Sequence, residues 1–394
     1  MSRVFRCSGY SLVLEDIVRA QGSRLFDSSG KSYLDFEAGV WCAALGHNHP
    51  RVNRALADQM NRVAHIGYRY TSDVVESAAD RVLATTPFED GKAVFLSSGS
   101  EAVEFAVQAA RRLKGRPLLL TLSDSYLAAY GSAGTKSEED WYSFDWRDCK
   151  ACSCVDCCDP QCKLLQEVPI DRIGGFVFEP GSSGGLVRFP PPRLVRALAS
   201  MVEEEDGLIV VDEVTTGLGR TGKWYGFQHY DIAPDFIAMG KGLGNGYPVS
   251  AVAMNARVAH ALEQSKFHHA QSHQNDPLAC AVAAELLTVI RDENLIEHSR
   301  ELGARLLHGL QDLGVSSGFV REVRGRGLMA ALELASEGKH SPLASAYRSL
   351  LERGFAVGYK PEAGILRFLP PLTINRDDID ALIGSLGDVL TGLS

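Results

Sequence analysis

Two short apolar runs in the middle of the chain each lead to a charged side chain, and they limit the possible folds more than any other feature. Residues 207–213 read Gly-Leu-Ile-Val-Val-Asp-Glu, and residues 235–241 read Asp-Phe-Ile-Ala-Met-Gly-Lys. Runs this short and apolar are typical of strands buried on both faces of a sheet. We therefore expect Asp212 and Lys241 to reach the same edge of one parallel sheet.

A third apolar run ends in a small polar turn, Ser97-Ser98-Gly99-Ser100, which precedes a helical pattern over about residues 100–114. The first N–H groups of a helix have no partner within it, and the helix dipole is positive at this end. The turn therefore suits a phosphate group. Taken alone it is weak evidence, because many helices begin with an ordinary serine cap.

Together, a lysine, an acid and a phosphate turn are what pyridoxal 5'-phosphate (PLP) needs, so we expect this cofactor. The lysine would form a Schiff base with the cofactor, and the acid would keep the pyridine nitrogen protonated so that the ring can accept electrons. Glycines at positions 242, 244 and 246 follow Lys241 and allow a planar ligand to approach the backbone closely.

These blocks, with residues 45–50, 276–281 and 366–371, make the chain resemble the class III aminotransferases over nearly its whole length. This family of fold-type I PLP enzymes includes the ornithine, acetylornithine and omega-amino-acid transaminases. The resemblance implies an α/β fold in which helices flank a large, mainly parallel seven-stranded sheet. A smaller α+β domain would combine the two ends of the chain. We expect boundaries at 1–45, 46–285 (the PLP-binding domain) and 286–394.

Local patterns give the expected elements of this fold. A hairpin is expected over 25–36, with its turn at Asp27 to Gly30. Alternating strands and helices should fill the central part, and a short sheet should form near 321–334, 354–359 and 364–368. The central strands are expected near residues 93–97, 117–122, 174–178, 207–212, 235–239 and 248–254.

The resemblance also implies roles for individual residues. Lys241 would be the Schiff-base lysine and the base that moves the proton, and Asp212 would pair with the pyridine nitrogen. Tyr126 would stack on the ring, with a core tyrosine as the alternative. Glu179 would lie beside the cofactor, with a structural acid as the alternative. Ser98, Gly99 and Ser100 would bind the phosphate.

The resemblance implies two further cofactor contacts. One is made by a residue that differs from the usual family residue, and the other reaches a partner subunit. Many members have a glutamine where this chain has Thr215, whose hydroxyl could replace the amide at the cofactor's phenolic oxygen. Ser272, five residues before Pro277, matches a hydroxyl that reaches the phosphate of the partner subunit. The resemblance therefore implies a homodimer with shared active sites.

On the substrate side, Arg367 lies where many members bind the substrate carboxylate, which a guanidinium can hold with two hydrogen bonds. A structural salt bridge is the alternative. Trp41 lies in the substrate-facing loop and would wall the pocket, unless it simply packs in the core. Ornithine-type members carry a glutamate that gates the arginine, whereas this chain has Gly184 at that position.

A cysteine-rich segment at about residues 145–165 is unusual for this family. Six of the nine cysteines lie within the fourteen residues 149–162. Such a density in a cytosolic protein suggests zinc or an iron–sulfur cluster, and disulfides or free thiols remain as alternatives. A plausible ligand set comprises Cys149, Cys152, Cys157 or Cys158, and Cys162.

The net charge of −9 argues against a nucleic-acid partner. No signal core or membrane-length apolar run is evident, which favours a cytoplasmic location. The predicted function is a ping-pong transfer of an amino group between an amino acid or omega-amine and a 2-oxo acid. The alternatives are a PLP-dependent decarboxylase, a racemase or epimerase, and a metal-binding regulator on a retired aminotransferase fold.

Overall fold

The computed structural model describes residues 3–5, 7, 12–150, 162–182, 184–335 and 342–393. Within these ranges the strands are β1 (Ile17–Gln21), β2 (Arg24–Asp27), β3 (Ser32–Asp35), β4 (Lys92–Leu96), β5 (Leu118–Leu122), β6 (Trp141–Phe144), β7 (Ile173–Phe178), β8 (Leu208–Asp212), β9 (Phe236–Met239), β10 (Ser250–Met254), β11 (Val320–Arg326), β12 (Met329–Leu334), β13 (Phe355–Ala356), β14 (Gly358–Lys360) and β15 (Ile365–Phe368).

The helices surround these strands. They are α1 (Ala38–Trp41), α2 (Pro50–Arg62), α3 (Asp73–Leu83), α4 (Gly99–Lys114), α5 (Gly131–Thr135), α6 (Lys163–Gln166), α7 (Pro192–Glu204), α8 (Ala256–Gln264), α9 (Pro277–Asp292), α10 (Leu295–Ser316), α11 (Pro342–Glu352) and α12 (Arg376–Gly392). Among the described residues, no helix has both the length and the apolar character needed to cross a membrane.

A seven-stranded sheet forms the centre of the molecule, in the order β4-β10-β9-β8-β7-β5-β6. Strands β6, β5, β7, β8 and β9 are parallel, and β10 runs antiparallel to both of its neighbours. Ile209 and Val211 of β8 belong to one hydrophobic cluster, whereas Val210 between them belongs to a second. Both faces of the sheet are therefore covered, which explains the continuous apolar runs in the sequence.

The six strands expected from the apolar runs are all present in this sheet, so the predicted α/β class is confirmed. The seventh strand, β6, was not expected. It is an edge strand with the sequence Trp-Tyr-Ser-Phe, and its two middle residues are not buried. A strand of four residues that pairs on one side only leaves a weak pattern.

The remaining strands form two four-stranded sheets. The predicted hairpin is confirmed as β2 and β3, which pair in an antiparallel manner. The strand expected near 354–359 is split: β13 joins the N-terminal sheet beside β3, and β14 joins the C-terminal sheet beside β15. The two ends of the chain therefore meet through β3 and β13. The domain boundaries after residues 45 and 285 stay a prediction.

The short helix α1 has an unusual backbone. Its four residues, from Ala38 to Trp41, all have φ between 46° and 68°. Only Gly39 adopts this left-handed conformation without a steric penalty. The segment is held by Asp35, whose carboxylate accepts hydrogen bonds from the N–H groups of Glu37 and Gly39 and contacts the His47 ring at 2.8 Å.

Candidate active site

The carboxyl ends of β4, β8 and β9 bring the three predicted cofactor blocks to one edge of the central sheet. Asp212 ends β8, Lys241 follows β9, and α4 begins at Gly99 after β4. Neighbouring atoms leave little room for a side chain at two glycines here. A Cβ on Gly99 would lie 2.6 Å from Val214 Cγ1, and one on Gly240 would lie 3.1 Å from the Cα of Gly99. The close approach of the two loops therefore favours glycine at both positions.

Lys241 extends into the space between the sheet and the left-handed segment. Its Nζ donates a hydrogen bond to Thr215 Oγ1 at 2.8 Å and lies 5.0 Å from the centre of the Trp41 ring. Its backbone has φ = 41°, a conformation that is uncommon outside glycine and is found at functional sites. The hydroxyl that replaces the family glutamine therefore contacts the predicted catalytic lysine directly.

Asp212 is a buried acid with unused hydrogen-bonding capacity. Its side chain is 2% exposed, and Oδ1 accepts a hydrogen bond from the Val214 N–H at 3.0 Å. No described residue donates a hydrogen bond to Oδ2. Burial raises the pKa of Asp212 to about 7, and the positive charge of Lys241 opposes this rise. A buried carboxylate with an open oxygen fits the protonated pyridine nitrogen of PLP.

The N–H groups around the start of α4 fall into two sets, those with an acceptor among the described residues and those without one. The Glu101 carboxylate accepts from the N–H groups of Ser97 and Ser98, and Ser98 Oγ accepts from the Glu101 N–H. The N–H groups of Gly99 and Ser100 have no acceptor within the described part of the chain and lie in the first helical turn. They therefore fit a phosphate, whereas a contact from Ser98 would have to involve its hydroxyl.

Tyr126 and Glu179 lie next to each other at this edge. The Tyr126 N–H donates to Glu179 Oε2 at 3.2 Å, and Glu179 is buried. The Tyr126 side chain is 47% exposed, so it is not a core tyrosine. Its position agrees with an aromatic group that covers one face of a ring bound against the sheet.

Lys136 is a nearby residue that the sequence did not single out. Its Nζ donates hydrogen bonds to the carbonyls of Ser125 and Tyr126, at 3.0 and 3.1 Å. Partial burial lowers the pKa of Lys136, and the negative charges of Glu179 and Asp212 oppose this shift. The lysine fixes the segment that carries Tyr126. No motif surrounds it, so only the folded structure reveals its position.

Of the predicted substrate residues, Trp41 lies beside Lys241, and Arg367 lies beside Trp41. Trp41 is buried between two cations, because its ring centre lies 5.0 Å from Lys241 Nζ and 5.1 Å from Arg367 Cζ. Arg367 Nη2 donates to Glu37 Oε2 at 3.0 Å, while Arg367 Nε is buried without a partner among the described residues. Glu37 also lies 3.4 Å from the Trp41 indole nitrogen. Sequence reasoning missed Glu37, which lies 330 residues from Arg367.

Comparison with known proteins agrees with this geometry. The model of the family "Aminotransferase class-III" matches residues 8–390. The chain belongs to the class III aminotransferases.

Individual relatives are similar over almost their full lengths. An acetylornithine aminotransferase of Aquifex aeolicus is 32% identical over 97% of this chain and 99% of its own. An (S)-enantioselective omega-transaminase from Thermomicrobium roseum is 29% identical with a TM-score of 0.85, covering 96% of this chain and 92% of its own. An amine transaminase from an uncultivated Pseudomonas species is 26% identical with a TM-score of 0.88, covering 100% and 99%.

The protein is therefore a PLP-dependent aminotransferase that moves an amino group between an amino donor and a 2-oxo acid. This confirms the family, the fold class and the reaction predicted from the sequence.

The remaining predicted residues are Ser272 and the cysteines. Ser272 is exposed on the turn before α9. Of the cysteine cluster, Cys149 is buried against the core, and Cys162 is half-buried and packs on the same hydrophobic cluster. Cys152, Cys157 and Cys158 lie outside the described residues, so the predicted zinc or iron–sulfur site stays a prediction.

Proposed function

We propose that this aminotransferase binds the carboxylate of its 2-oxo acid through Arg367, and that Glu37 occupies the guanidinium when no carboxylate is bound. One observation supports this most directly: Glu37 and Arg367 form an ion pair beside the Trp41 ring, whose other cationic neighbour is Lys241. A substrate that reaches Lys241 along this ring would bring its carboxylate to Arg367.

The residues of the sheet edge fit PLP. We assign the phosphate to the N–H groups of Gly99 and Ser100, with Ser98 beside them, and the pyridine nitrogen to Asp212. Tyr126 and Glu179 would flank the ring, and Ser272 would contact the phosphate bound in a partner subunit. When bound, PLP supplies an electron sink that stabilises negative charge on the substrate carbon.

Lys241 would carry the proton during transfer. Its amine is held by Thr215 Oγ1 at 2.8 Å and faces the apolar Trp41 ring. The Thr215 hydroxyl accepts the hydrogen bond from Lys241. It therefore orients the amine and carries no charge of its own. The ring excludes water from one side of the amine. Both contacts position Lys241 between the sheet edge and the substrate side.

Arg367 has the hydrogen-bonding capacity for a carboxylate. Glu37 occupies one of its terminal nitrogens, and Nε is left for a second acceptor. Burial raises the pKa of Glu37, and the positive charge of Arg367 opposes this rise. The buried Glu37 carboxylate is therefore poorly solvated. The carboxylate of an incoming substrate can replace Glu37, because the Arg367 guanidinium has an anionic partner both before and after the exchange.

This pairing favours a donor whose reacting amine has no neighbouring carboxylate, such as an omega-amine. While Glu37 holds Arg367, the substrate side presents a neutral pair and an apolar ring rather than an open cation. The similarity to an amine transaminase and to an omega-transaminase supports the same choice. The 2-oxo acid would then displace Glu37 in the second half of the ping-pong cycle.

The test uses the PLP-loaded enzyme with single donors and no acceptor. A terminal diamine or omega-amino acid should convert the bound cofactor to pyridoxamine 5'-phosphate, one equivalent for each chain. An α-amino acid without a second amine should react more slowly. Racemisation without pyridoxamine phosphate, or carbon dioxide release, would instead support one of the alternative reactions.

The contribution of Arg367 is measured with the acceptor. In the variant Arg367→Gln, kcat/KM for the 2-oxo acid should fall by roughly 10- to 100-fold, the value of a charged hydrogen bond. The half-reaction with an amine donor should change much less. Equal losses in both half-reactions would exclude carboxylate binding as the specific role of Arg367.

A homodimer is part of the proposal, because the proposed contact of Ser272 is with the phosphate bound in a partner subunit. Light scattering of the purified protein should give twice the chain mass. A stable, active monomer would remove the proposed role of Ser272.

A further inference from the structure

A cluster of three side chains of the kinds that bind metal ions lies apart from the residues around Lys241. His65, on the segment after α2, and His273, on the turn before α9, share the carboxylate of Asp276. His65 Nδ1 lies 3.2 Å from Asp276 Oδ1, and His273 Nδ1 lies 2.9 Å from Asp276 Oδ2. The two imidazole rings are 4.6 Å apart between centres.

We propose that His65, His273 and Asp276 form a site for a divalent transition-metal ion, of which Zn²⁺ is the best match. Two imidazoles and one carboxylate form a mixed nitrogen and oxygen ligand set that suits zinc, whereas Ca²⁺ and Mg²⁺ favour sites made of oxygen ligands alone. Protein zinc sites with three ligands complete their coordination with water.

The distances are close to those of a coordinated ion. One ligand atom from each residue can be chosen so that all three lie within 4.8 Å of one another. Metal bonds of about 2.1 Å in a tetrahedral arrangement place ligand atoms roughly 3.4 Å apart. The two contacts go to different oxygens of Asp276 and both lie below this separation, so binding an ion requires the two imidazole nitrogens to turn towards one common point.

In the single chain, the burial of the three residues suits a site that an ion can reach from solvent. The side chains of His65 and His273 are 43% and 58% exposed, whereas that of Asp276 is 6% exposed. The acid provides a fixed ligand, and the histidines can rotate towards an arriving ion. In the resting state each Nδ1 faces the carboxylate. Metal binding requires the tautomer with the proton on Nε2, which faces away from the acid.

The side chain of Asp276 is directed towards the two histidines. Asp276 is the N-cap residue of α9, yet its side chain makes no capping hydrogen bond. Both carboxylate oxygens instead face the histidines. The positive end of the α9 dipole stabilises this negative charge. The Asp276 carboxylate thus contacts the two imidazole rings and does not cap the helix.

A bound ion would join two segments that are 208 residues apart in the chain. His273 follows Ser272, so the ion would also restrain the turn that carries the proposed phosphate contact. The metal site itself does not depend on that proposal, because zinc uptake is measured without turnover.

The experiment compares zinc uptake by the PLP-loaded, full-length protein and by single variants. The variants are His65→Gln and His273→Gln. His308→Gln serves as the matched control, because His308 is an exposed histidine that lies 3.5 Å from Asp312 outside the cluster. Any zinc held by the cysteine-rich segment is common to all of these proteins, so it cancels in the difference.

We expect the wild type and the control to bind one equivalent of Zn²⁺ more per chain than either cluster variant, or to bind that equivalent at least tenfold more tightly. Zinc should also raise the thermal unfolding temperature of the wild type more than that of the variants. Equal zinc uptake and equal thermal shifts in all four proteins would overturn the site and leave a hydrogen-bonded histidine pair.

Cobalt provides an independent readout of the ligands. The Co²⁺ spectrum of the wild type minus that of His65→Gln should show ligand-field bands without a thiolate charge-transfer band. A thiolate band in this difference would assign the lost ion to cysteines and overturn the proposal. The variants must melt at the temperature of the wild type without metal, which the exposure of both histidines favours.

Discussion

The two sides of Lys241 are built in different ways. The proposed cofactor side consists of the ends of β4, β8 and β9, whose backbones are fixed by one sheet with both faces buried. The proposed substrate side consists of a left-handed segment and a strand of another sheet, joined by the Glu37–Arg367 ion pair. A rigid sheet suits a cofactor that stays the same. A segment with a strained backbone and an exchangeable ion pair suits substrates that alternate.

This contrast has a consequence for mutations. Substitutions on the cofactor side should affect chemistry more than stability, because the acid and the lysine contribute little to the packing of the sheet. Substitutions in the ion pair on the substrate side should affect stability as well. The predictions below test this difference, beginning with the largest expected effect.

The variant Lys241→Ala should lose transamination by about 10⁴-fold or more, because it lacks both the nucleophile and the base. Its free energy of unfolding should change by no more than about 1 kcal/mol, since the side chain is not part of the core. Steady-state kinetics and chemical denaturation provide both values. Lys266→Ala is the matched control, because Lys266 is an exposed lysine that also has positive φ (52°). A folded Lys241→Ala enzyme with near-normal turnover would remove Lys241 from the mechanism.

The variant Asp212→Asn should reduce kcat by roughly 10²- to 10³-fold, as expected for loss of a preorganised electrostatic contact. The apo protein should remain at least as stable as the wild type, because a buried charge is removed and the contact with the Val214 N–H can be kept. A large loss of stability would instead give Asp212 a structural role.

The same variant tests the pH dependence of stability. An unfolded aspartate loses its proton near pH 3.8, whereas the pKa of folded Asp212 is about 7. The folded apo protein therefore holds the proton longer, and its stability should fall as pH rises from 5 to 7 and level off above 7. The fall should be roughly 1–3 kcal/mol in that interval for this group and smaller in Asp212→Asn. Burial also raises the pKa of Glu213 to about 7, so part of the slope should remain. Urea unfolding at several pH values measures it.

The variant Arg367→Gln should lower the free energy of unfolding by about 3 kcal/mol, because it leaves Glu37 buried without its cation. The double variant Glu37→Gln with Arg367→Gln should recover most of this loss, since neither charge then remains. Urea unfolding of the four proteins completes a double-mutant cycle. A cycle with no coupling energy would show that the ion pair on the substrate side does not contribute to stability. The two sides would then not differ in how their charges affect stability.

The smallest effect is expected for Thr215→Val, which removes only the hydroxyl that holds Lys241. Loss of one positioning hydrogen bond of about 0.5–1.5 kcal/mol corresponds to roughly a 2- to 10-fold change in kcat/KM. Binding of PLP, followed by its absorbance, should persist. A loss comparable to that of Lys241→Ala would mean that the hydroxyl takes part in proton transfer rather than in positioning.

The accuracy of prediction from sequence also differs between the two sides. Each residue of the cofactor side follows an apolar run or a glycine turn of its own, so strand patterns predicted the shared sheet edge. Glu37 has no such signal, because its significance depends on a partner 330 residues away. Lys136 likewise contacts carbonyl groups of a turn, which no side-chain pattern indicates.

The sequence by itself determined the α/β class, the positions of six buried strands along the chain and the family, because burial on both faces leaves continuous apolar runs and the sheet edge requires particular residue types. Tertiary structure alone decided that α1 is left-handed, that the strand near 354–359 divides between two sheets, and that Arg367 pairs with Glu37. It also brought His65 and His273 to Asp276. These features depend on contacts between distant segments, which local hydrophobic periodicity does not encode.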